Sequence, residues 1–118
     1  MAVVYYDLET TGIDPPDHRG VEIINIGART GNLDFEVFIQ PRGPIDPRAT
    51  EVHGMFKDQY GRLKNRYNRI VRTADTAYAG LEMFLGWLKW VNCQYLVRFS
   101  SFVNYLSKTV RQSITGCP

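Results

Sequence analysis

The chain has 118 residues, of which 44% are hydrophobic and 22% charged, and its formal net charge is +2. That length allows one domain with a buried core. No stretch reaches the roughly 20 apolar residues of a membrane span, the N-terminus lacks secretory-signal features, and two cysteines are too few for a disulfide framework. We therefore expect a single domain over residues 1–118, intracellular (cytoplasmic or nuclear), with reduced cysteines and no membrane association.

The charges are distributed unevenly along the chain. Residues 1–56 carry nine acidic and four Lys/Arg side chains, whereas residues 57–118 carry three acidic and ten Lys/Arg side chains. This division would suit metal ions held by the first part and a polyanion held by the second. On charge alone, the alternative of basic side chains that only solvate helix surfaces is favoured.

The first half of the chain predicts three strands. Val3–Tyr6 is an apolar run without alternation, which predicts a strand buried on both faces. Val21–Arg29 is predicted as the second strand, and Leu33–Gln40 as its hairpin partner across a tight turn at residues 30–32. Residues 41–50 are predicted to be a proline-rich connection. The apolar face of the third strand would consist of Phe35, Val37 and Ile39.

The second half predicts a helix, a strand and another helix, with no internal repeat. The first helix would begin after Asp75 as its N-cap and end near Val91, and Tyr95–Phe99 would be a strand. Ser100 or Ser101 would cap the last helix. The order β-β-β-α-β-α predicts an α/β fold, a mixed sheet with flanking helices. The helix positions expected to face the core are Ala77, Leu81, Phe84, Leu85 and Leu88, with Met83, Trp87 and Trp90 widening the stripe.

The first strand ends in two carboxylates, within the sequence VVYYDLETTG. Side chains at i and i+2 of a strand share a face, so Asp7 and Glu9 should point together, about 6–7 Å apart at their Cα atoms. Leu8 would face the core. Carboxylate oxygens are the ligands of hard divalent cations, and pairs of such ions cleave phosphodiesters. The alternative is a polar strand end before an ordinary turn.

Three segments, in order, resemble a known family. YYDLETTG (Tyr5–Gly12) is similar to the first motif of the DEDD 3′–5′ exonucleases, the superfamily of the proofreading subunit of bacterial DNA polymerase III. EIINIGA (Glu22–Ala28) resembles the second strand of that family, and FIQPRGPIDPRATEVHGM (Phe38–Met55) resembles its proline-containing segment that ends in His-Gly. The match is dense over residues 3–55 and weaker over residues 75–106.

The resemblance implies an RNase H-like fold and metal-dependent hydrolysis of the 3′-terminal phosphodiester of nucleic acid, with single-stranded 3′ ends as the substrate. Asp7 and Glu9 would be the catalytic metal ligands, for Mg²⁺ or Mn²⁺. By the same resemblance, the residues along the terminal nucleotide would be Thr10, Thr11, Gly12, Ile13, His53, Gly54 and Met55. Simpler roles are also open for two of these, because Ile13 could pack the turn and His53 could cap the next helix.

Two acidic residues of the family pattern have no counterpart. They belong to a motif after the fourth strand and to a late helix, but Glu82 is the last acidic residue of this chain. In LVRFSSFVNYL, Val103 occupies the place of the expected Asp. His53 and Asp58 reproduce the family's His-x4-Asp spacing, but in the wrong segment, and we interpret this as coincidence. We expect one ion rather than two, little or no catalysis, and a fold that lacks its final strand and helix.

Residues 57–72 (KDQYGRLKNRYNRIVR) combine cations with interleaved tyrosines. Cations follow a phosphate backbone and aromatic rings stack on unpaired bases, so this basic insertion is predicted to contact nucleic acid. A solvated insertion is the alternative. The predicted backbone contacts are Lys57, Arg62, Lys64, Arg66, Arg69 and Arg72.

Three functions therefore stay open at the level of the sequence. The first is a 3′–5′ exonuclease domain, and the second is a degenerate member that binds nucleic acid without cutting it. The third is an interaction or dimerisation scaffold, for which an exposed sheet edge could pair two copies. The missing acids favour the second or third, whereas the family resemblance favours the first.

Overall fold

Seven strands and two helices make up the part of the chain that the structure describes, residues 2–12, 20–99 and 112–116 of a computed structural model. In chain order they are β1 (Ala2–Thr10), β2 (Ile23–Thr30), β3 (Leu33–Phe38), α1 (Pro47–His53), β4 (Phe56–Lys57), β5 (Leu63–Lys64), α2 (Ala77–Trp90), β6 (Cys93–Phe99) and β7 (Gln112–Gly116).

The main sheet has five strands in the order β3-β2-β1-β6-β7. β1 is antiparallel to β2 and parallel to β6, and β7 returns antiparallel to β6. β2 and β3 form a hairpin whose two-residue turn contains Gly31 at φ 55°, a backbone conformation that glycine adopts without strain. The mixed sheet with a helix packed on it confirms the predicted α/β, RNase H-like class.

One face of this sheet packs against α2 and forms the main core. Val4 of β1 and Ile26 of β2 are fully buried there, under Phe84 and Leu88 of the helix. The helix approaches closely because Gly80 has no side chain, since a Cβ there would lie 2.7 Å from two carbons of Ile39. Burial of each such side chain contributes about 1.5–3 kcal/mol. This layer fixes β1 as a rigid strand.

The other face of β1 is open, which corrects the prediction of a strand buried on both faces. Val3 and Tyr5 are 40% and 42% exposed, while Val4 between them is inaccessible to solvent. Exposed and buried positions do alternate along this apolar run. The sequence does not show it, because tyrosine and valine tolerate a half-exposed strand position as well as a buried one.

The packing stripe of α2 is narrower than predicted. Gly80, Phe84 and Leu88 are its buried residues, whereas Leu81 and Leu85 are each 40% exposed, and Met83 and Trp90, predicted to widen the stripe, are 53% and 70% exposed. The prediction that these two leucines face the core was wrong, because the buried residues follow an i, i+4, i+8 line and the leucines lie one position beyond it. The N-cap is Thr76, whose Oγ1 accepts a hydrogen bond from the backbone N–H of Ala79 at 3.0 Å, and not Asp75.

A second, smaller core joins the basic insertion to the sheet. Ile24, Met55 and Leu63 are buried together, with Phe38 and Val71 packed against them. This core holds the β4–β5 hairpin beside β2 and β3.

Helix α1 was missed by the sequence analysis, which predicted a connection there. Its N-cap is Asp46, whose side chain accepts a hydrogen bond from Arg48 N, and Pro47 follows at the first helical position. An Asp-Pro pair in these positions is a recognised helix start, so the sequence did contain a signal for it.

Two expectations about the C-terminal part were wrong. β7 pairs with β6 over five residues, from Tyr95↔Gly116 to Phe99↔Gln112, so the sheet does have a strand after β6. Cys93 is disulfide-bonded and not a free thiol. Cys117 and the predicted last helix after Ser100 or Ser101 lie outside the described residues. No helix within the described ranges is long and apolar enough to span a membrane.

Candidate functional site

Asp7 and Glu9 lie on the same face of the sheet. Asp7 pairs with Gly27 and Glu9 with Asn25, so both carboxylates leave β1 on the side opposite to α2. Leu8 between them packs on the main core. Both acidic residues are half-buried, neither sealed in nor fully solvated. The strand pairing therefore presents two carboxylates, one residue apart, on an accessible surface.

Gly27, which pairs with Asp7 between β1 and β2, leaves room for a ligand. Gly27 has no side chain, and a shallow pocket of about 420 Å³ opens there, lined by Tyr5, Tyr6, Asp7, Gly27, Ala28 and Arg29. At its far side, Arg29 Nε donates to Asp34 Oδ1 at 2.6 Å. This hydrogen bond raises the pKa of Arg29 and lowers that of Asp34, so the two charges are paired with each other.

Asn25, opposite Glu9, is a site neighbour that sequence reasoning missed. It is buried, and its Nδ2 donates to Val37 O at 3.3 Å and to Glu36 Oε2 at 3.4 Å. The signal for it was an amide in the middle of an apolar strand, a position where such residues are rare without a partner. Asn25 ties β2 to β3 directly beside the carboxylates.

The chain bends just beyond Glu9. The register of β1 against β2 shifts between Glu9 and Thr10. Thr11 exchanges backbone hydrogen bonds with two segments, donating to Glu22 O at 2.9 Å and accepting from Asp46 N at 2.7 Å. Its hydroxyl oxygen also accepts from Glu22 N at 2.9 Å, and the Thr10 hydroxyl donates to Gly12 O. Both hydroxyls thus brace the bend.

This bracing bears on the predicted nucleotide contacts. Thr11 is only 3% exposed, so its side chain is not presented to a ligand on the surface. Gly12 is half-buried, and a Cβ there would lie 3.2 Å from Val21 Cγ2. Ile13 lies outside the described residues.

Glu22 is a second residue whose role the sequence did not reveal. Its carboxylate accepts hydrogen bonds from the backbone N–H of Arg42, at 2.9 Å, and of Gly43, at 2.8 Å. An acidic residue ahead of β2 therefore fixes the proline-rich loop and is not directed at the Asp7–Glu9 face.

His53 joins α1 to the end of β1. It is the last residue of that helix, and Nε2 donates to Thr10 O at 3.0 Å while Nδ1 accepts from Met55 N at 3.0 Å. Burial lowers the pKa of His53, with a smaller contribution from the charge of Arg66, against the raising effect of the bond to Thr10. A neutral ring with its proton on Nε2 satisfies both bonds.

The two residues after His53 have structural environments. Gly54 caps α1 at φ 79°, and a Cβ there would lie 2.7 Å from Arg66 Cβ. Met55 is buried in the smaller core, so the structure does not bring its side chain to a surface where a base could lie. The predicted contact of Met55 with a base is not supported by this position.

Most of the predicted backbone-binding cations also contact the protein. Lys57 Nζ donates to Gly43 O at 3.2 Å, and Arg62 Nε lies 2.7 Å from Asp58 Oδ2. Lys64 Nζ donates to Asn68 Oδ1 at 3.1 Å, and Arg66 Nη2 to His53 O at 3.4 Å. Within the described ranges, Arg69 and Arg72 make no side-chain hydrogen bond or ion pair, which leaves their charge available to a ligand.

The described part of the chain offers no larger metal-binding set. Among residues 2–12, 20–99 and 112–116, no three His, Cys, Asp or Glu side chains are grouped so that they could hold an ion. Asp58 is occupied by its own turn and by Arg62. Its spacing from His53 remains interpreted as coincidence, and Val103 lies outside the described residues.

Comparisons with known proteins agree with the motif. The model of the exonuclease family RNase T matches residues 4–113. The chain is 32% identical over 91 residues to DNA polymerase III subunit epsilon of Pasteurella multocida (strain Pm70). That alignment covers 70% of this chain and 35% of the relative, so the chain spans about a third of the relative's length.

Proposed function

The chain belongs to the RNase T exonuclease family, and from that premise we propose that it is a 3′–5′ exonuclease-like domain that binds the 3′ end of a nucleic acid beside one divalent cation. The observation that carries the proposal is the shared face of Asp7 and Glu9, half-exposed at the end of a rigid strand. Mg²⁺ or Mn²⁺ is the cation proposed.

The donor set fits one hard cation better than two. Two carboxylates from one strand can hold an ion whose other ligands are water and a phosphate oxygen. A pair of ions would carry four positive charges against the two negative charges of Asp7 and Glu9, and no further acidic group joins them among the described residues. When bound, such an ion would polarise a phosphate oxygen and its own water.

The chain's own residues would position the substrate around this point. Gly27 leaves space on the sheet beside Asp7. Hydrogen bonds from His53 and Glu22 hold the bend at residues 10–12. This bend fixes the orientation of the Glu9 side chain at the end of β1. Fixed geometry of this kind is what an electrostatic site needs, because no free energy is then spent on reorganising it.

Hydrolysis by this chain is proposed to be slow. Loss of one well-placed electrostatic group typically lowers a rate by about 10²–10³, and two family acids have no candidate after Glu82 in the sequence. This favours a second candidate function, binding of a 3′ end without cleavage.

Both candidates are tested with 3′-recessed and single-stranded oligonucleotides, DNA and RNA, labelled at the 5′ end. The protein is incubated with Mg²⁺ or Mn²⁺ beside the variants Asp7→Asn and Asp34→Asn. Asp34 lies on the same sheet face but is paired with Arg29, so its variant is the matched control for charge. We expect a slow ladder of 3′-shortened products that Asp7→Asn abolishes and Asp34→Asn preserves.

Other outcomes separate the candidates. Metal-dependent retention of the oligonucleotide without a ladder, lost in Asp7→Asn, would select binding without cleavage. Absence of both cleavage and metal-dependent binding would contradict both candidates and leave a scaffold or dimerisation role, which the oligomeric state in solution would test next.

A further inference from the structure

The basic insertion contains a short internal repeat that the sequence analysis overlooked. Residues 57–63 read KDQYGRL and residues 64–70 read KNRYNRI. Lys, Tyr and Arg recur at the first, fourth and sixth positions. At the second, fifth and seventh positions, Asp, Gly and Leu of the first copy are replaced by Asn, Asn and Ile in the second. We call residues 57–70 the double turn.

The backbones of the two copies fold in the same way. Asp58 Oδ1 accepts from Tyr60 N at 2.9 Å and from Arg62 N at 2.9 Å, and Asn65 Oδ1 accepts from Tyr67 N at 2.9 Å and from Arg69 N at 3.1 Å. The remaining backbone bonds also correspond, as Gly61 N→Asp58 O matches Asn68 N→Asn65 O, both near 3 Å. Gly61 and Asn68, the residues in the left-handed conformation, have φ of 80° and 62°.

Each copy presents an exposed tyrosine ring. The backbone N–H of each tyrosine bonds to its turn, and the side chains are 73% exposed at Tyr60 and 75% exposed at Tyr67. An arginine follows each at the same spacing, and the guanidinium of Arg62 lies over the Tyr60 ring at 5.1 Å from its centroid. A repeated, exposed pair of aromatic ring and cation suits a repeating ligand with flat groups and negative charge.

The double turn is anchored so that it can hold such a ligand in place. Leu63, between the two turns, is 1% exposed in the smaller core, and Gln40 Nε2 donates to Gly61 O at 2.8 Å. Arg66 of the second turn lies against Gly54 and His53, and His53 is bonded to Thr10 at the end of β1. The second turn is therefore linked through His53 to the strand that carries the carboxylates.

Successive hairpins reverse direction, and this separates the two tyrosines. β4 is antiparallel to β5, and Lys64 is in turn antiparallel to Ile70, so the turns lie at opposite ends of this small sheet. Seven residues of chain allow at most about 25 Å between the two tyrosine Cα atoms. An extended single strand of a few nucleotides that crosses the small sheet can span such a distance.

We propose that the double turn is a two-point binding site for single-stranded nucleic acid, separate from Asp7 and Glu9, in which Tyr60 and Tyr67 each stack on one base and Arg69 faces a phosphate. The inference rests on the proposed nucleic-acid function but adds a site that needs no metal. Charge complementarity supports it, because the single acidic residue of the double turn, Asp58, already pairs with Arg62.

The experiment measures fluorescence anisotropy of a labelled oligo(dT) or oligo(U) of about 12 nucleotides, a length typical of single-strand sites. EDTA and a 3′-phosphate block exclude the metal-dependent end site. Tyr60→Ala and Tyr67→Ala should each weaken binding by about 5- to 150-fold, and the double variant should weaken it further. Tyr60→Phe and Tyr67→Phe should bind within about twofold of the unchanged protein, because they keep the ring.

Two matched controls test the specificity of these effects. Tyr78 on α2 is 71% exposed, so Tyr78→Ala removes an equally exposed tyrosine outside the double turn and should leave binding unchanged. Arg69→Gln should reduce the slope of log Kd against log salt by about 0.7, whereas Lys89→Gln, at an exposed basic residue in the last turn of α2, should not alter it.

The proposal is overturned if the Tyr→Ala variants bind as the unchanged protein does, or if the Phe variants lose as much as the Ala variants. Equal or tighter binding of a polyglutamate of matched charge would also overturn it and assign the surface to an acidic protein. These results are independent of cleavage. If Asp7→Asn changes nothing in any assay while the tyrosine variants lose binding, the end site fails and the double turn stands; the reverse pattern removes only the double turn.

Discussion

The carboxylate face of β1 and the double turn hold their charged groups by different means. Asp7 and Glu9 are placed by strand pairing over a core in which Val4 and Ile26 are fully buried. The cations of the double turn are placed by short turns over a small core of three buried residues, and several of them contact the protein's own oxygens. The difference teaches that the acidic site is fixed by the whole sheet, whereas the basic site depends on a few local anchors.

The largest expected effect is on those anchors. Leu63→Ala should lower the free energy of unfolding by about 2–5 kcal/mol, because it removes a fully buried side chain and leaves a cavity under both turns. Urea denaturation measures this change. If the double turn were a loosely attached loop, the variant would unfold like the unchanged protein, and the described packing of Leu63 with Ile24 and Met55 would be refuted.

A smaller effect is expected at the junction between the two regions. Gly54→Ala places a Cβ 2.7 Å from Arg66 Cβ in a left-handed backbone, which should lower stability by at least about 1–2 kcal/mol. Gly31→Ala, in the β2–β3 turn, is the matched control because it has a positive φ but nothing within 4 Å of the added Cβ.

Thermal unfolding of the two glycine variants isolates the contact. Gly54→Ala should have the lower Tm of the pair, and it should also weaken oligo(dT) binding if Arg66 is displaced. Equal losses of stability would mean that only backbone strain is involved and that Arg66 does not rest on Gly54.

The smallest effect depends on pH and concerns His53. Burial lowers its pKa below 6.5 in the folded protein, so the unfolded chain takes up the proton first as the pH falls. The contribution of His53 to the free energy of unfolding should be fully present above pH 6.5. It should be lost as the pH falls through the lower pKa that His53 has in the folded protein. In His53→Gln, the decrease in Tm between pH 7.5 and pH 5 should be shallower than in the unchanged protein. An identical pH profile would show that His53 does not contribute to it.

Much of the fold was predictable because hydrophobic patterning is local. The alternation of Phe35, Val37 and Ile39 placed β3 correctly, and these residues do contact the main core. The failures arose where tertiary contacts decide. The apolar run Val3–Tyr6 cannot reveal from composition which face is covered, and the exposure of Leu81 and Leu85 depends on how α2 meets the sheet.

The site was predictable in part for the same reason. The period of a strand places Asp7 and Glu9 on one face whatever the remainder of the chain does. By contrast, the bonds of His53 to Thr10 and of Glu22 to Arg42 and Gly43 join residues distant in sequence, and no local pattern encodes them. The repeat in the double turn is present in the amino-acid sequence, but only the matched hydrogen bonds show that its two copies form equivalent turns.

The most direct test of the proposed function is calorimetric titration of Mn²⁺ and Mg²⁺ into the protein, into Asp7→Asn with Glu9→Gln, and into Asp34→Asn. We predict about one ion bound per chain, with binding lost in the double variant and retained in Asp34→Asn. Binding of equal strength in all three proteins, or no binding to the unchanged chain with an oligonucleotide 3′ end present, would contradict a cation held by Asp7 and Glu9.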